Sequence, residues 1–138
     1  MWGAENHGAR YFGIPNPRAL LLAYPLIGLE NLSGTAAQLL RSGLLGIHSG
    51  EGKIAEYTAS RQVDPGYPPV YLILSEDDST VPKQDALDME AALTKAEIPH
   101  RIERVSSGGH GFGLGTATAA NGWISRALDF VEENRYAK

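Results

Sequence analysis

The chain has 138 residues, 43% of them hydrophobic and 20% charged; that is enough for one domain with a core and excludes the composition of a disordered chain. A formal net charge of −4 argues against nucleic acid or an anionic membrane as the main partner. There is no cysteine, so disulfides and thiolate zinc sites are excluded; such a chain suits the cytoplasm, and export is not excluded.

The first element expected along the chain is a strand over 19–24, Ala-Leu-Leu-Leu-Ala-Tyr, bracketed by Pro17 and Pro25. A short continuous apolar run of this kind reads as a strand buried on both faces, as in a parallel sheet. Leucine and alanine also suit a helix, and the flanking prolines favour the strand. The apolar stretch continues to Leu29 but is interrupted by Tyr24, Pro25 and Gly28, so it falls short of the ~20 residues that span a bilayer. No basic segment leads into an apolar run at the N-terminus, so no signal peptide is expected.

Residues 28–68 are loosely patterned, with helical turns expected over 39–45 and 53–61. Val70-Tyr71-Leu72-Ile73-Leu74-Ser75, entered through Pro68-Pro69, predicts a second strand rich in β-branched and aromatic residues. From Pro82 to Ala96 the residues Ala86, Met89, Leu93 and Ala96 share one helical face. Pro82 suits a first turn and Asp85 the positive end of the helix dipole. Arg101 to Val105 predicts a third strand, polar enough to sit at a sheet edge. A glycine-rich loop, Ser106 to Gly115, leads to an amphipathic helix over 119–134 with Trp123, Ala127 and Phe130 on its apolar stripe. The alternation implies right-handed crossovers and an α/β fold of about three parallel strands, as one domain over 1–138.

In a parallel sheet the loops at the carboxyl ends of the strands meet ligands. Two such loops hold chemistry here. One reads Ser75-Glu76-Asp77-Asp78-Ser79-Thr80-Val81-Pro82, the other Ser106-Ser107-Gly108-Gly109-His110-Gly111-Phe112-Gly113. Adjacent strands would bring an aspartate and a histidine together, the orienting half of a Ser-His-Asp triad. Each residue also has a plain reading: Asp78 as a cap for the helix near Pro82, His110 as a surface histidine. Glu76 and Asp77 read as solvated, with incidental cation binding open to them. His7, His48 and His100 have no partners at metal-ligand spacing and read as structural or exposed. The glycines at 109, 111, 113 and 115 invite a dinucleotide-loop reading, but the spacing fails at Thr116.

Pro68-Pro69-Val70-Tyr71-Leu72, then Asp78-x-x-Val81-Pro82, a helix, a strand and Gly109-His110-Gly111-Phe112 resembles the C-terminal part of α/β-hydrolase esterases. The likeness is greatest to the small acetylesterase and acetyl-xylan-esterase group. Ala23-Tyr24-Pro25-Leu26-Ile27 resembles the strand after the nucleophile helix, and Trp123-Ile124 with Ala127-Leu128 and Phe130 resembles the closing helix. The likeness covers nearly the whole chain, most weakly at 28–60. It implies Asp78 as triad acid and His110 as base. Asp77 competes for the acid position, but its spacing to Val81-Pro82 is one residue too long.

The family's nucleophile sits in a Gly-x-Ser-x-Gly elbow, and that pentapeptide is absent from the 138 residues. Ser33 and Ser49 lack the preceding glycine, Ser42 has Leu40 at that place, and Ser106 and Ser107 belong to the histidine loop. The His-Gly-Gly type oxyanion-hole motif is absent too. In the family both precede the first strand here. Residues 1–17 therefore resemble the helix and turn beyond the elbow, and the chain is expected to begin a few residues after the serine position.

The resemblance implies a carboxylic ester hydrolase acting on a small, short-acyl ester, with no cofactor and no metal. This chain alone is expected to be inactive. The alternative is a non-catalytic truncated hydrolase module acting as an assembly or binding unit, or a fragment of a longer gene product. An apolar, unpaired strand at 19–24 is an association hazard, so a homodimer is expected in which these strands pair antiparallel into a six-stranded sheet.

Overall fold

The computed structural model describes residues 12–13, 15–47 and 50–136. His7, His48, Ser49 and most of the segment 1–17 lie outside the described residues. Three strands, β1 (Leu20–Ala23), β2 (Val70–Ser75) and β3 (His100–Val105), form one sheet in the order β1-β2-β3. Both pairings are parallel: Leu20 faces Val70 and Ala23 faces Ile73, while Val70 faces His100 and Ser75 faces Val105. The expected α/β class with three parallel strands is therefore observed. Helices α1 (Gly34–Leu45) and α2 (Glu51–Glu56) and a 3-10 turn (Ala59–Gln62) connect β1 to β2. Helix α3 (Lys83–Lys95) joins β2 to β3, and α4 (Trp123–Glu133) follows the glycine-rich loop.

β2 holds the fold together because all six of its residues are buried. Side chains alternate across a strand, so β2 feeds two cores. Val70, Leu72 and Leu74 pack with Ile27, Tyr67, Met89, Leu93 and Ile98. Tyr71 and Ile73 pack on the opposite face with Val105, Ala120, Ala127 and Phe130. Each large side chain fully buried this way contributes roughly 1.5–3 kcal/mol, so the centre of the sheet is the most strongly held part of the molecule.

Three expectations need correction. The run at 19–24 reads as buried on both faces, yet Leu21 is 40% exposed, while the position of β1 at the sheet edge agrees with the unpaired strand expected there. An apolar run signals a buried strand only when neighbours flank it, and among the described residues only β2 does. The last helix begins at Trp123 rather than at 119. Gly122, in the left-handed region at φ +78°, breaks the backbone there, and turns closed by Thr118 N–H to the Gly115 carbonyl and Asn121 N–H to the Thr118 carbonyl take up the preceding residues. The segment over 28–68 holds a longer helix than expected, α1. It exposes Leu39, Leu40 and Leu44, which is why its apolar residues do not trace one buried face.

β3 lies at the other edge, as its polar sequence implies. Its Glu103 accepts hydrogen bonds from the Tyr71 hydroxyl and from the Arg126 guanidinium, whose Nε is 3.0 Å away. This ties the edge strand to β2 and α4. No helix among the described residues is long and apolar enough to cross a membrane.

Candidate active site

All three strands deliver residues to the carboxyl edge of the sheet. Tyr24 follows β1, Asp77 and Asp78 follow β2, and the loop 106–115 follows β3. The acid loop and the histidine loop meet, because β2 and β3 are parallel neighbours of equal length.

Asp78 Oδ2 lies 2.9 Å from His110 Nδ1. The other oxygen, Oδ1, accepts the backbone N–H groups of Thr80 at 2.8 Å and Val81 at 3.0 Å. The carboxylate side chain is only 4% exposed, whereas that of His110 is 36% exposed. Burial works to raise the Asp78 pKa, but the hydrogen bonds from Val81, His110 and Thr80 outweigh it and hold the carboxyl below its ordinary value. The aspartate is thus an anion fixed by its own loop. The cap reading of Asp78 is not observed: the helix has Pro82 at its N-cap with no side-chain cap bond, and Asp78 Oδ1 instead closes the turn at Thr80 and Val81 that leads into it.

Asp77 does not reach His110. Its Oδ1 accepts the Ser75 hydroxyl and the Gly109 N–H at 2.7 Å. These bonds, the Ser75 hydroxyl first and the Gly109 amide next, hold its carboxyl below the ordinary value. Ser75 is fully buried, so its hydroxyl serves this contact and faces no solvent. Gly109 and Gly111, at φ +62° and +81°, flank His110 in the left-handed region that glycine adopts without strain.

The imidazole of His110 rests edge-on against Tyr24, with ring centroids 5.2 Å apart. Tyr24 also meets Phe112 at 4.8 Å, and Phe112 meets Trp123 at 6.4 Å. The indole N–H of Trp123 donates to the Gly113 carbonyl at 2.9 Å, closing the loop onto α4. Tyr24 is a non-glycine residue at φ +43°. Such residues cost of order 1–3 kcal/mol and cluster at functional sites. Sequence reasoning missed Tyr24 because an apolar run ending in Tyr-Pro carries no sign of a positive φ. Among the described residues nothing hydrogen-bonds His110 Nε2.

The remaining expected residues are dispersed. Glu76 pairs with Lys83 at the surface. His100 Nδ1 donates to the Ile98 carbonyl at 2.7 Å and is structural. Among the described residues no three His, Asp or Glu side chains cluster as a metal site requires. A polar cleft of about 280 Å³ runs along the acid loop between Asn31, Ser33, Thr80 and Lys83. A larger cavity of about 400 Å³, lined by Glu30, Arg41, Glu51, Ile54 and Arg61, does not touch the aspartate–histidine pair.

Asp85 was also missed as a structural acid. It is 1% exposed and accepts the N–H groups of Ile27 at 2.8 Å and Gly28 at 3.1 Å and the Asn31 amide at 2.8 Å. It anchors the segment after Tyr24 to the first turn of α3.

Three parallel strands with an aspartate–histidine pair at their carboxyl edge define the C-terminal portion of an α/β-hydrolase. Residues 46–136 match the model of the prolyl oligopeptidase family, and the chain belongs to that family. Its likeness extends to esterases. The acetyl ester-xyloside bifunctional hydrolase from Caldicellulosiruptor lactoaceticus superposes with a TM-score of 0.67 at 24% identity, over 87% of this chain and 41% of that one. The carboxylesterase Cest-2923 from Lactobacillus plantarum WCFS1 superposes with a TM-score of 0.68 at 21% identity, over 95% of this chain and 50% of that one. Endo-1,4-beta-xylanase B of Butyrivibrio fibrisolvens is 27% identical over 107 residues, which is 78% of this chain and 16% of that protein. The chain thus spans half or less of the length of each of these proteins.

Proposed function

We propose that this chain supplies the acid and base of a serine-type ester hydrolase site, with Asp78 orienting His110 and a small carboxylic ester as substrate. The 2.9 Å contact between Asp78 Oδ2 and His110 Nδ1, beside an Nε2 without a partner among the described residues, carries the reading. Donation from Nδ1 to the carboxylate selects the tautomer with a bare Nε2. That nitrogen then takes the proton of an attacking hydroxyl, and the buried carboxylate stabilises the imidazolium that results.

The hydroxyl comes from another segment, since these 138 residues lack a Gly-x-Ser-x-Gly elbow. The chain alone therefore turns over little or no ester. Removing the nucleophile leaves only binding and oxyanion contributions, and the oxyanion motif is missing too. Assay of the purified chain on p-nitrophenyl acetate tests this, with hydrolysis at the buffer background expected. Turnover that a fluorophosphonate probe blocks and labels would refute it.

The ester reading draws on the carboxylesterase and acetyl ester hydrolase among the similar structures. A second reading, hydrolysis of a peptide bond, is favoured by the family match over 46–136. Supplying a polypeptide that bears the serine elbow, and comparing p-nitrophenyl acetate with a proline-containing p-nitroanilide, separates the two.

The exposed edge of β1, with Leu21 40% exposed, supports a non-catalytic alternative: an assembly unit in which two chains pair antiparallel through β1 into a six-stranded sheet. Light scattering on a sizing column at micromolar concentration tests it, and a stable monomer removes it.

A further inference from the structure

The loop that carries His110 has an anchoring problem. Gly108, Gly109 and Gly111 surround the histidine, at φ +156°, +62° and +81°. Glycine loses more conformational freedom on folding than any other residue, so such a loop keeps one shape only where contacts impose it. One contact is the bond from the imidazole to Asp78. The other begins one residue earlier on the opposing loop: Asp77 Oδ1 accepts the N–H of Gly109 at 2.7 Å and is itself held by the Ser75 hydroxyl. Ser75 is fully buried at the end of the central strand, so this acceptor is fixed to the most rigid part of the sheet. Gly108 passes too close for a side chain, since a Cβ there would lie 3.1 Å from the Phe112 ring and 3.4 Å from the Ser75 hydroxyl.

We infer that Asp77 is a positioning residue for His110. Two consecutive carboxylates divide the work: Asp78 holds the ring and Asp77 holds the backbone that aims it. The inference rests on the reading of Asp78 and His110 as an acid–base pair, and it adds a role for a residue that otherwise reads as a solvated charge.

The test is ¹⁵N and ¹H NMR of the imidazole, with hydrogen exchange at the Gly109 amide, in the intact chain and three variants. In the parent, His110 carries its proton on Nδ1 and the Gly109 amide is protected. Asp77→Ala is expected to return His110 toward the mixed tautomers of free imidazole and to speed Gly109 exchange at least about tenfold, the loss of one hydrogen bond to a charged acceptor. Asp77→Asn keeps an acceptor oxygen without the charge, and is expected to preserve the Nδ1–H tautomer and most of the protection. Circular dichroism checks that each variant is folded, and a tautomer change in a variant with native ellipticity separates positioning from unfolding. The inference is overturned if Asp77→Ala leaves both signals unchanged, or if Asp77→Asn and Asp77→Ala change them equally, which would assign the effect to charge. Asp78→Ala is the control for the underlying reading: if it leaves the tautomer unmoved, the acid–base pair itself fails. If it shifts the tautomer while Asp77→Ala does not, only the role of Asp77 fails.

Discussion

Replacing Asp85 with alanine tests whether the segment after β1 is held by one buried carboxylate. The substitution removes the acceptor of the Ile27 and Gly28 N–H groups and one partner of the Asn31 amide, in a place only 1% exposed. Asn31 keeps its bond to Asp88, so it is only partly orphaned. The two backbone donors have no such fallback. Each unsatisfied buried donor costs about 1–3 kcal/mol, so Asp85→Ala is expected to lose about 2–6 kcal/mol, a large share of the roughly 5–15 kcal/mol of a typical domain. Urea unfolding followed by circular dichroism reads this as a midpoint lowered by about 1–3 M at an ordinary m-value. Asp85→Asn should fall between the two. Its amide oxygen can still accept from Ile27 and Gly28, which share Oδ2 in the parent. Its NH₂ would then face the donating NH₂ of Asn31. A value for Asp85→Ala within about 0.5 kcal/mol of the parent, the range of an ordinary surface change, would refute the reasoning.

Asp77, Asp78 and Glu103 all have carboxyls held below their ordinary values; for Glu103, burial opposes the shift and the Arg126 and Tyr71 hydrogen bonds overcome it. A lowered folded pKa contributes stability above the unfolded pKa and loses it as pH falls, so stability should hold down to about pH 5 and decline below about pH 4. At the other extreme, Tyr67 and Tyr71 are pushed up to about 12, first by burial and then by the charge of Asp64 for Tyr67 and by the hydrogen bond to Glu103 for Tyr71. Their contribution is complete below about pH 10 and is lost as pH rises through the raised value; ultraviolet titration should find both still protonated at about pH 10. Gly115→Ala should destabilise more than Gly113→Ala in thermal unfolding. Both sit at positive φ, but only at 115 would a Cβ meet the backbone of Ala120, at 2.8 Å. A difference below about 0.5 kcal/mol between the two would contradict this.

Much of the sheet is legible in the sequence, because a parallel strand between neighbours must be largely apolar and Val70–Leu74 is. The aspartate–histidine pair is legible for a different reason. Residue 78 precedes a helix start and residue 110 sits among glycines, so each is framed by local turn chemistry. What could not be read depends on partners distant in the chain. The exposure of β1 depends on what flanks it, and the run Ala19–Tyr24 contains no such information. Asp85 looks like an ordinary first-turn acid, yet its partners lie 54 to 58 residues away. The role of Tyr24 rests on a backbone angle that a tyrosine before proline does not advertise. Helix α1 escaped because its leucines face outward as well as inward.

The two oxygens of Asp78 have a consequence for how such a site wears away. One oxygen is committed to Thr80 and Val81 within its own loop, and the other to His110. The acid is therefore set by a stretch of four residues and waits in place whether or not a histidine arrives. Substitution at residue 110 deletes a ring and leaves the seat intact; substitution at residue 78 unseats the ring and frees the turn together.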